Sequence, residues 1–262
     1  MDDIRQCCLT IAGSDSGGNA GVQADLRTFH AYALHGCTVF AALTAQNPLG
    51  VKAIHPVPAD FVAAQLDAVL GTYAIAALKT GMLADPEAIE ATSERLGALD
   101  RTAKIIDPVM VATSGAKLTP PDAVEAMKKL LLPLASLITP NIPEAQELSG
   151  IVISSQESLR EAAKRIHGKF GSAVLIKGGH AAGNTAEAED TLFDGTEFHF
   201  FSLPWIENPV STHGTGCTLS AAIAAELATG RNMTDAVAGA KKYVHRAIAD
   251  SYFVGPDCGV LA

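Results

Sequence analysis

What this sequence lacks narrows its function before any motif is considered. No apolar run approaches the roughly 20 residues of a membrane helix, and the opening residues MDDIRQ carry acids where a secretory signal carries bases, so a cytoplasmic protein without a membrane role is expected. Basic residues number 19 against 28 acidic ones, for a formal charge of −9, and they form no Lys/Arg block that could track a nucleic-acid backbone. Nucleic acid is therefore not an expected partner. The five cysteines (Cys7, Cys8, Cys37, Cys217, Cys258) form an odd set with no C-x-x-C pair, which argues against a disulfide framework and for reduced thiols. Neither His180 nor His213 sits in a metal-ligand spacing such as H-E-x-x-H, so no zinc site is expected. No Pro/Gly/Ser-rich linker, low-complexity tract or internal repeat marks a boundary, and 262 residues suit one domain spanning 1–262.

What is present is an alternation. Strand-like runs (CCLTIAG, CTVFAALTA, AALKTG, AKIIDPV, SLITP, AVLIKGG) take turns with helix-like ones (AGVQADLRTFHAYAL, PADFVAAQLDAVLGTY, DPEAIEATSERLGAL, PDAVEAMKKLLLPLA, SLREAAKRIHGKF). Two further helical segments, CTLSAAIAAELATG and TDAVAGAKKYVHRAIADSY, lie near the C-terminus. Hydrophobic residues make up 48%, enough for a substantial core. The pattern predicts right-handed βαβ units, hence an α/β fold with a mainly parallel sheet covered on both faces. DTLFDG and EFHFFSLPW, with a turn signal at Asp194 and Gly195, predict a small antiparallel edge.

Ligands of open α/β sheets bind beyond the carboxyl ends of the strands. There the sequence places GSDSGG, TAQN, KTGM, DPVM, TPNIPE and KGGH. The glycine-rich stretch GSDSGGNAG, residues 13–21, invites a phosphate-loop reading, but it matches neither G-x-G-x-x-G nor G-x-x-x-x-G-K-[ST]. THGTGC, residues 212–217, competes for the anion. Gly214, Thr215, Gly216 and Cys217 open a helix of small residues, where unpaired N–H groups and the helix dipole favour a phosphate; the plainer reading is an ordinary helix start capped by Thr215. Cys217 is either a thiolate stabilised by the helix start, fit to act as a base or nucleophile, or a small packed residue. In NIPE, Asn141 and Glu144 offer hard oxygen atoms suited to Mg²⁺, or else form a helix cap with Pro143 in the first turn. Asp107 adds a second strand-end carboxylate or is a turn former before Pro108. Lys177 is a point charge for nucleotide phosphate or a lysine reaching solvent.

Taken in order, GSDSGGNAGVQADL, ALTAQN, ALKTGM, DPVM, TPNIPEA, KGGH and THGTGCTLSAAIAA resemble the hydroxymethylpyrimidine/phosphomethylpyrimidine kinases of thiamine synthesis, members of the ribokinase-like superfamily. The resemblance covers nearly the whole chain. It implies a ribokinase-like fold and a homodimer, with ATP and Mg²⁺ as cofactors. The reaction it implies is two successive phosphorylations of 4-amino-5-hydroxymethyl-2-methylpyrimidine. It also implies that Gly13 and Asp25 line the pyrimidine pocket, that Gln46 hydrogen-bonds the aminopyrimidine edge, and that Met82 and Val109 pack on the ring. Lys177 and Thr212 would serve the nucleotide, Asp107, Asn141 and Glu144 the metal, and residues 214–217 the transferred phosphate, with Cys217 in the place where superfamily members often carry an Asp base. Asn19 departs from the glycine usual at that point of the loop. Pyridoxine/pyridoxal kinases share much of this motif set, and a catalytically idle pyrimidine-binding protein is the reading from another class.

Overall fold

The computed structural model describes residues 5–110, 118–178, 186–256 and 258–262. In chain order its elements are β1 (Cys7–Asp15), α1 (Gly21–Ala31), β2 (His35–Asn47), β3 (Gly50–Pro56), α2 (Ala59–Leu70), β4 (Ile75–Thr80), α3 (Pro86–Gly97), β5 (Ala103–Ile106), α4 (Pro121–Ala126), β6 (Leu137–Ile138), α5 (Ile142–Ser149), α6 (Gln156–Phe170), β7 (Ala173–Lys177), β8 (Glu187–Phe193), β9 (Phe198–Pro204), α7 (Thr215–Ala228), α8 (Met233–Ala249), β10 (Tyr252–Gly255) and β11 (Cys258–Val260). Nine strands form one sheet in the order β3-β2-β1-β4-β5-β6-β7-β8-β9. The pairs from β2 through β7 are parallel, whereas β3, β8 and β9 join antiparallel. The expected α/β architecture and the β8–β9 hairpin are both present.

Consecutive residues of a strand point to opposite faces, and the short parallel strands show this directly. Leu78, Ile106, Ile138 and Ile176 pack with Val62, Leu66, Ile89, Leu96 and Ile166 of α2, α3 and α6. Their chain neighbours Ala77, Ile105, Leu137 and Leu175 pack on the other side with Phe29 of α1, Ala221–Ala225 of α7 and Val237 and Ala240 of α8. α7 is built from small residues because it is buried almost all round, between the sheet and α8.

Three departures from the expected elements have identifiable causes. The single helix expected over PDAVEAMKKLLLPLA is an α-helix only to Ala126; residues 127–131 widen to a π-turn and 132–134 tighten to a 3₁₀ turn. Pro133 lacks the N–H needed to continue the ladder and its ring crowds the carbonyl four residues back. The hairpins β2–β3 and β10–β11 had no sequence counterpart, being largely exposed or short. Among the described residues no helix is long and apolar enough to cross a membrane.

The chain passes from β1 to β2 on one side and returns to β4 on the other, so the loops after β1 and β4 diverge from the middle of the sheet. A bulge between Ala12 and Gly13 shifts the β1 register just before this opening.

Candidate active site

A cavity of about 150 Å³ lies beyond the carboxyl ends of β1, β4, β5, β6 and β7. A cavity of comparable volume accepts a benzene-sized ring. Its wall includes Gly13, Asp15, Gln46, Met82, Asp107, Val109, Asn141, Glu144, Lys177, His213, Gly214, Gly216 and Cys217. Most of the residues singled out in the sequence therefore converge on one place, although up to about 200 positions separate them along the chain.

The first glycine loop carries its own anion. The Asp15 carboxylate accepts the N–H of Gly17 at 2.8 Å through Oδ1, and those of Asn19 and Ala20 at 3.0 and 2.8 Å through Oδ2. Burial works against its charge, yet His213 and these three N–H groups hold Asp15 below the ordinary carboxylate range. Donors already given to a side chain are not free for a phosphate. Asn19, at the departure noted above, is buried within this turn. Gly21 enters α1 with φ +57, and a Cβ there would lie 2.2 Å from the Gly13 carbonyl oxygen.

α7 begins differently. Gly214 stands at its N-cap with φ +87, and no side chain caps the helix, so the Thr215 cap is absent. Of the first helical N–H groups, that of Thr215 donates to the Thr212 carbonyl, while those of Gly216 and Cys217 have no intrahelical acceptor and are left for a ligand. A Cβ on Gly214 would lie 2.1 Å from the Asn19 carbonyl oxygen, which locks the two glycine loops together. One built on Gly216 would stand 3.6 Å from Lys177 Nζ and 3.8 Å from Asp107 Oδ2. The open helix start thus adjoins the Lys177–Asp107 ion pair, whose separation is 2.8 Å. Lys177 does not reach for solvent. Burial opposes its charge, but Asp107 and then Glu144 outweigh burial and raise its pKa.

Asn141 and Glu144 form a reciprocal helix cap: Asn141 Oδ1 accepts the Glu144 N–H, and Glu144 Oε2 accepts the Asn141 N–H, each at 2.9 Å. The capping reading of NIPE is thus correct, and the cap faces the cavity. Glu144 Oε1 takes the Met110 N–H at 3.3 Å. Burial pushes the Glu144 carboxyl up to about 7, with Lys177 opposing and Asp107 reinforcing the rise. Two carboxyl groups share one lysine here, so the second negative charge is poorly compensated and Glu144 holds its proton more readily than an ordinary carboxyl.

Gln46 donates or accepts at four places, one of them its backbone carbonyl, which accepts the Ser16 hydroxyl at 2.7 Å. Its Oε1 takes the Thr44 hydroxyl at 3.1 Å, its backbone N–H donates to Ser16 Oγ at 2.8 Å, and its amide nitrogen stands 3.3 Å from His213 Nε2. His213 immediately precedes Gly214, so it links Gln46 to the start of α7. Met82 and Val109 face the same cavity, and a Cβ on Gly13 would lie 2.6 Å from Met82 Cε.

Three expectations are corrected. Asp25 does not line the pocket: it is fully buried beneath it, accepting the Thr10 hydroxyl at 2.6 Å and pairing with the fully buried Lys79 at 3.1 Å. Burial opposes the Lys79 charge, but Asp25 and then Cys217 and Asp107 hold it, pushing the ammonium up to about 12. Thr212 is exposed and Thr215 likewise lies off the cavity wall; only the Thr212 carbonyl takes part in the turn, accepting the Thr215 N–H at 3.4 Å. Finally, the Cys217 thiol is not lowered by the helix start. Burial pushes it up, with Lys79 pulling the other way and Asp25 and Asp107 adding to the rise.

Asp15 and His213 were present in the quoted motifs but had no assigned role. An Asp followed by Ser-Gly-Gly is the signature of a side chain that organises its own turn, which was the available signal for Asp15. His180 lies outside the described residues.

The phosphomethylpyrimidine kinase family model matches residues 15–262. The hydroxymethylpyrimidine/phosphomethylpyrimidine kinase of Haemophilus influenzae is 45% identical, over 99% of this chain and 96% of its own. The thiamine biosynthesis bifunctional protein ThiED of Geobacter sulfurreducens is 50% identical over 93% of this chain and 49% of its own, so the chain spans about half of that protein's length. Among solved structures, an ADP complex of Bacillus subtilis pyridoxal kinase has a TM-score of 0.89 at 35% identity, covering 98% of this chain and 97% of its own. With the fold, the open helix start and the paired lysine and carboxylates in place, the chain belongs to the phosphomethylpyrimidine kinase family, and its fold is ribokinase-like.

Proposed function

We propose that this chain transfers phosphate from ATP to the hydroxymethyl oxygen of 4-amino-5-hydroxymethyl-2-methylpyrimidine, and then phosphorylates the monophosphate to the diphosphate. The observation that carries the reading is a single ring-sized cavity whose wall holds both the Gln46 amide, with Met82 and Val109, and the uncapped start of α7 beside Lys177 and Asp107.

In this reading Gln46 meets the aminopyrimidine edge, and Met82 and Val109 cover the ring. The substrate oxygen attacks the terminal phosphorus of ATP, its proton passes to Cys217 Sγ, and the bond to the departing ADP oxygen breaks. Charge gathers on the equatorial oxygens, where the N–H groups of Gly216 and Cys217 stand preorganised and need no rearrangement. Because burial keeps the thiol largely protonated at neutral pH, only its ionised fraction takes the proton. Lys177, held by Asp107, meets nucleotide phosphate. The poorly compensated carboxyl groups of Asp107 and Glu144 suit a hard divalent cation, and Asp107, Asn141 and Glu144 would hold Mg²⁺. Contact through water fits the Glu144 oxygens, which already accept two N–H groups. The cation would screen charge between the phosphates.

A homodimer is part of the proposal; Leu43 and Leu49, left 47% and 76% exposed beside the β2–β3 edge, support it, and sedimentation equilibrium tests it. Phosphorylation of pyridoxal is a second reading, favoured by the likeness to Bacillus subtilis pyridoxal kinase. Gln46→Leu discriminates between a pocket that reads the pyrimidine through this amide and one that does not. The first predicts a rise of about tenfold or more in KM for the pyrimidine with KM for ATP unchanged, the size of one lost recognition hydrogen bond. An unchanged pyrimidine KM contradicts it.

A further inference from the structure

Away from the cavity wall, Asp190 of β8 and Lys241 of α8 form a 2.7 Å ion pair with side chains only 8% and 10% exposed. Lys241 occupies Asp190 Oδ2, and Asp190 Oδ1 accepts the backbone N–H of Gly178 at 2.9 Å. Gly178 is the first residue after β7 and directly follows Lys177, which lies opposite Asp190 in the antiparallel ladder. The backbone is pressed close here, since a Cβ on Gly178 would lie 2.0 Å from the Glu189 carbonyl oxygen. Removing two charges from water is unfavourable, and an apolar pair of similar volume commonly serves stability as well or better. Stability therefore does not account for this pair, whereas its position beside Lys177 does.

We propose that Asp190 and Lys241 are positioning residues for Lys177: Lys241 fixes the Asp190 carboxylate, and Asp190 fixes the point where the chain leaves β7, so that the Lys177 ammonium stays beside Asp107 and the start of α7. The proposal rests on the reading that puts nucleotide phosphate at Lys177. It makes the C-terminal helix α8 part of the support for the phosphate site, although α8 contributes no residue to the cavity wall.

Two double variants separate positioning from a general structural role. Asp190→Leu with Lys241→Met removes the acceptor for Gly178, whereas Asp190→Asn with Lys241→Met keeps an oxygen for it. Binding of ADP with magnesium, measured calorimetrically without pyrimidine, is expected to weaken about tenfold in the leucine pair and only about two- to threefold in the asparagine pair, which keeps the acceptor for Gly178 but loses the hold of Lys241 on it. The leucine pair also raises KM for ATP and leaves KM for the pyrimidine unchanged. In a Lys177→Met background the leucine pair causes no further loss of ADP affinity. Wild-type affinity in the leucine pair, equal losses in both pairs, or an undiminished loss without Lys177 overturns the proposal. Asp190→Val with Lys241→Met, whose β-branched apolar residue suits a strand and offers no acceptor, decides in the same way if the leucine pair does not fold. A wild-type protein that binds no ADP refutes the underlying nucleotide reading instead.

Discussion

Gly214→Ala should uncouple the two glycine loops, and the structure supplies its own control at the other end of the same helix. Gly214 has φ +87 and Gly230, just past the C-terminus of α7, has φ +88. An alanine in this left-handed region costs about 1–2 kcal/mol at either site. The surroundings differ. A Cβ at 230 meets nothing within 4 Å, whereas one at 214 lies 2.1 Å from the Asn19 backbone oxygen, about 1 Å inside an ordinary contact. That overlap is with main chain, so the start of α7 or the 13–21 loop must move by roughly this amount. Misplacing preorganised groups by about 1 Å lowers turnover by ~100-fold, or about 2.7 kcal/mol of transition-state stabilisation. Thermal unfolding and steady-state kinetics of the two variants provide the assay. Both should lose midpoint, but Gly230→Ala should keep its kcat while Gly214→Ala loses it. Wild-type turnover in Gly214→Ala, or equal loss in both variants, would refute the claim that the backbone at 214–217 forms the phosphate site.

Cys217→Ala should slow the first phosphorylation by ~100-fold or more, the usual scale of a lost general base, and the second by far less, because a phosphate monoester with a second pKa near ~6 is already largely ionised. Single-turnover mass spectrometry separates the steps, and equal losses point to a positioning role for the thiol. Since burial raises this thiol, the rate of the first step should keep climbing with pH past neutrality in the wild type, a rise that Cys217→Ala abolishes. Asp15→Asn should loosen the 13–21 loop, costing about 2 kcal/mol for charge-assisted hydrogen bonds weakened or lost, and raise KM for the pyrimidine. The folded state lowers the Asp15 pKa, so its contribution is present above the ordinary 3.8 and disappears in acid; the midpoint gap between wild type and Asp15→Asn should close as pH falls below that value.

The parallel sheet was legible because its buried strands are short apolar runs separated by amphipathic helices. β3, whose residues are largely exposed, and the hairpin β10–β11, with strands of four and three residues, have no comparable signature. Strand-end chemistry was legible too, since glycines, carboxylates and amides after an apolar run have few structural reasons to be there. Asp25 shows where a motif misleads. It lies with Val22 and Phe29 on the buried stripe of α1, at helical spacing, a signal for the core that the motif reading passed over. Its partner Lys79 is 54 residues away on β4, beyond the reach of any local pattern. The raised Cys217 thiol was hidden for a related reason: the helix start is local and visible, whereas the burial that dominates it comes from the packing of α1 against α7 and the sheet.

The most direct test of the account is turnover of the purified protein with ATP and magnesium, offering the hydroxymethylpyrimidine and pyridoxal in parallel and weighing the products by mass spectrometry. The account predicts pyrimidine monophosphate followed by the diphosphate. Pyridoxal phosphate alone, with the pyrimidine returned unchanged, would contradict the reading of the pocket around Gln46.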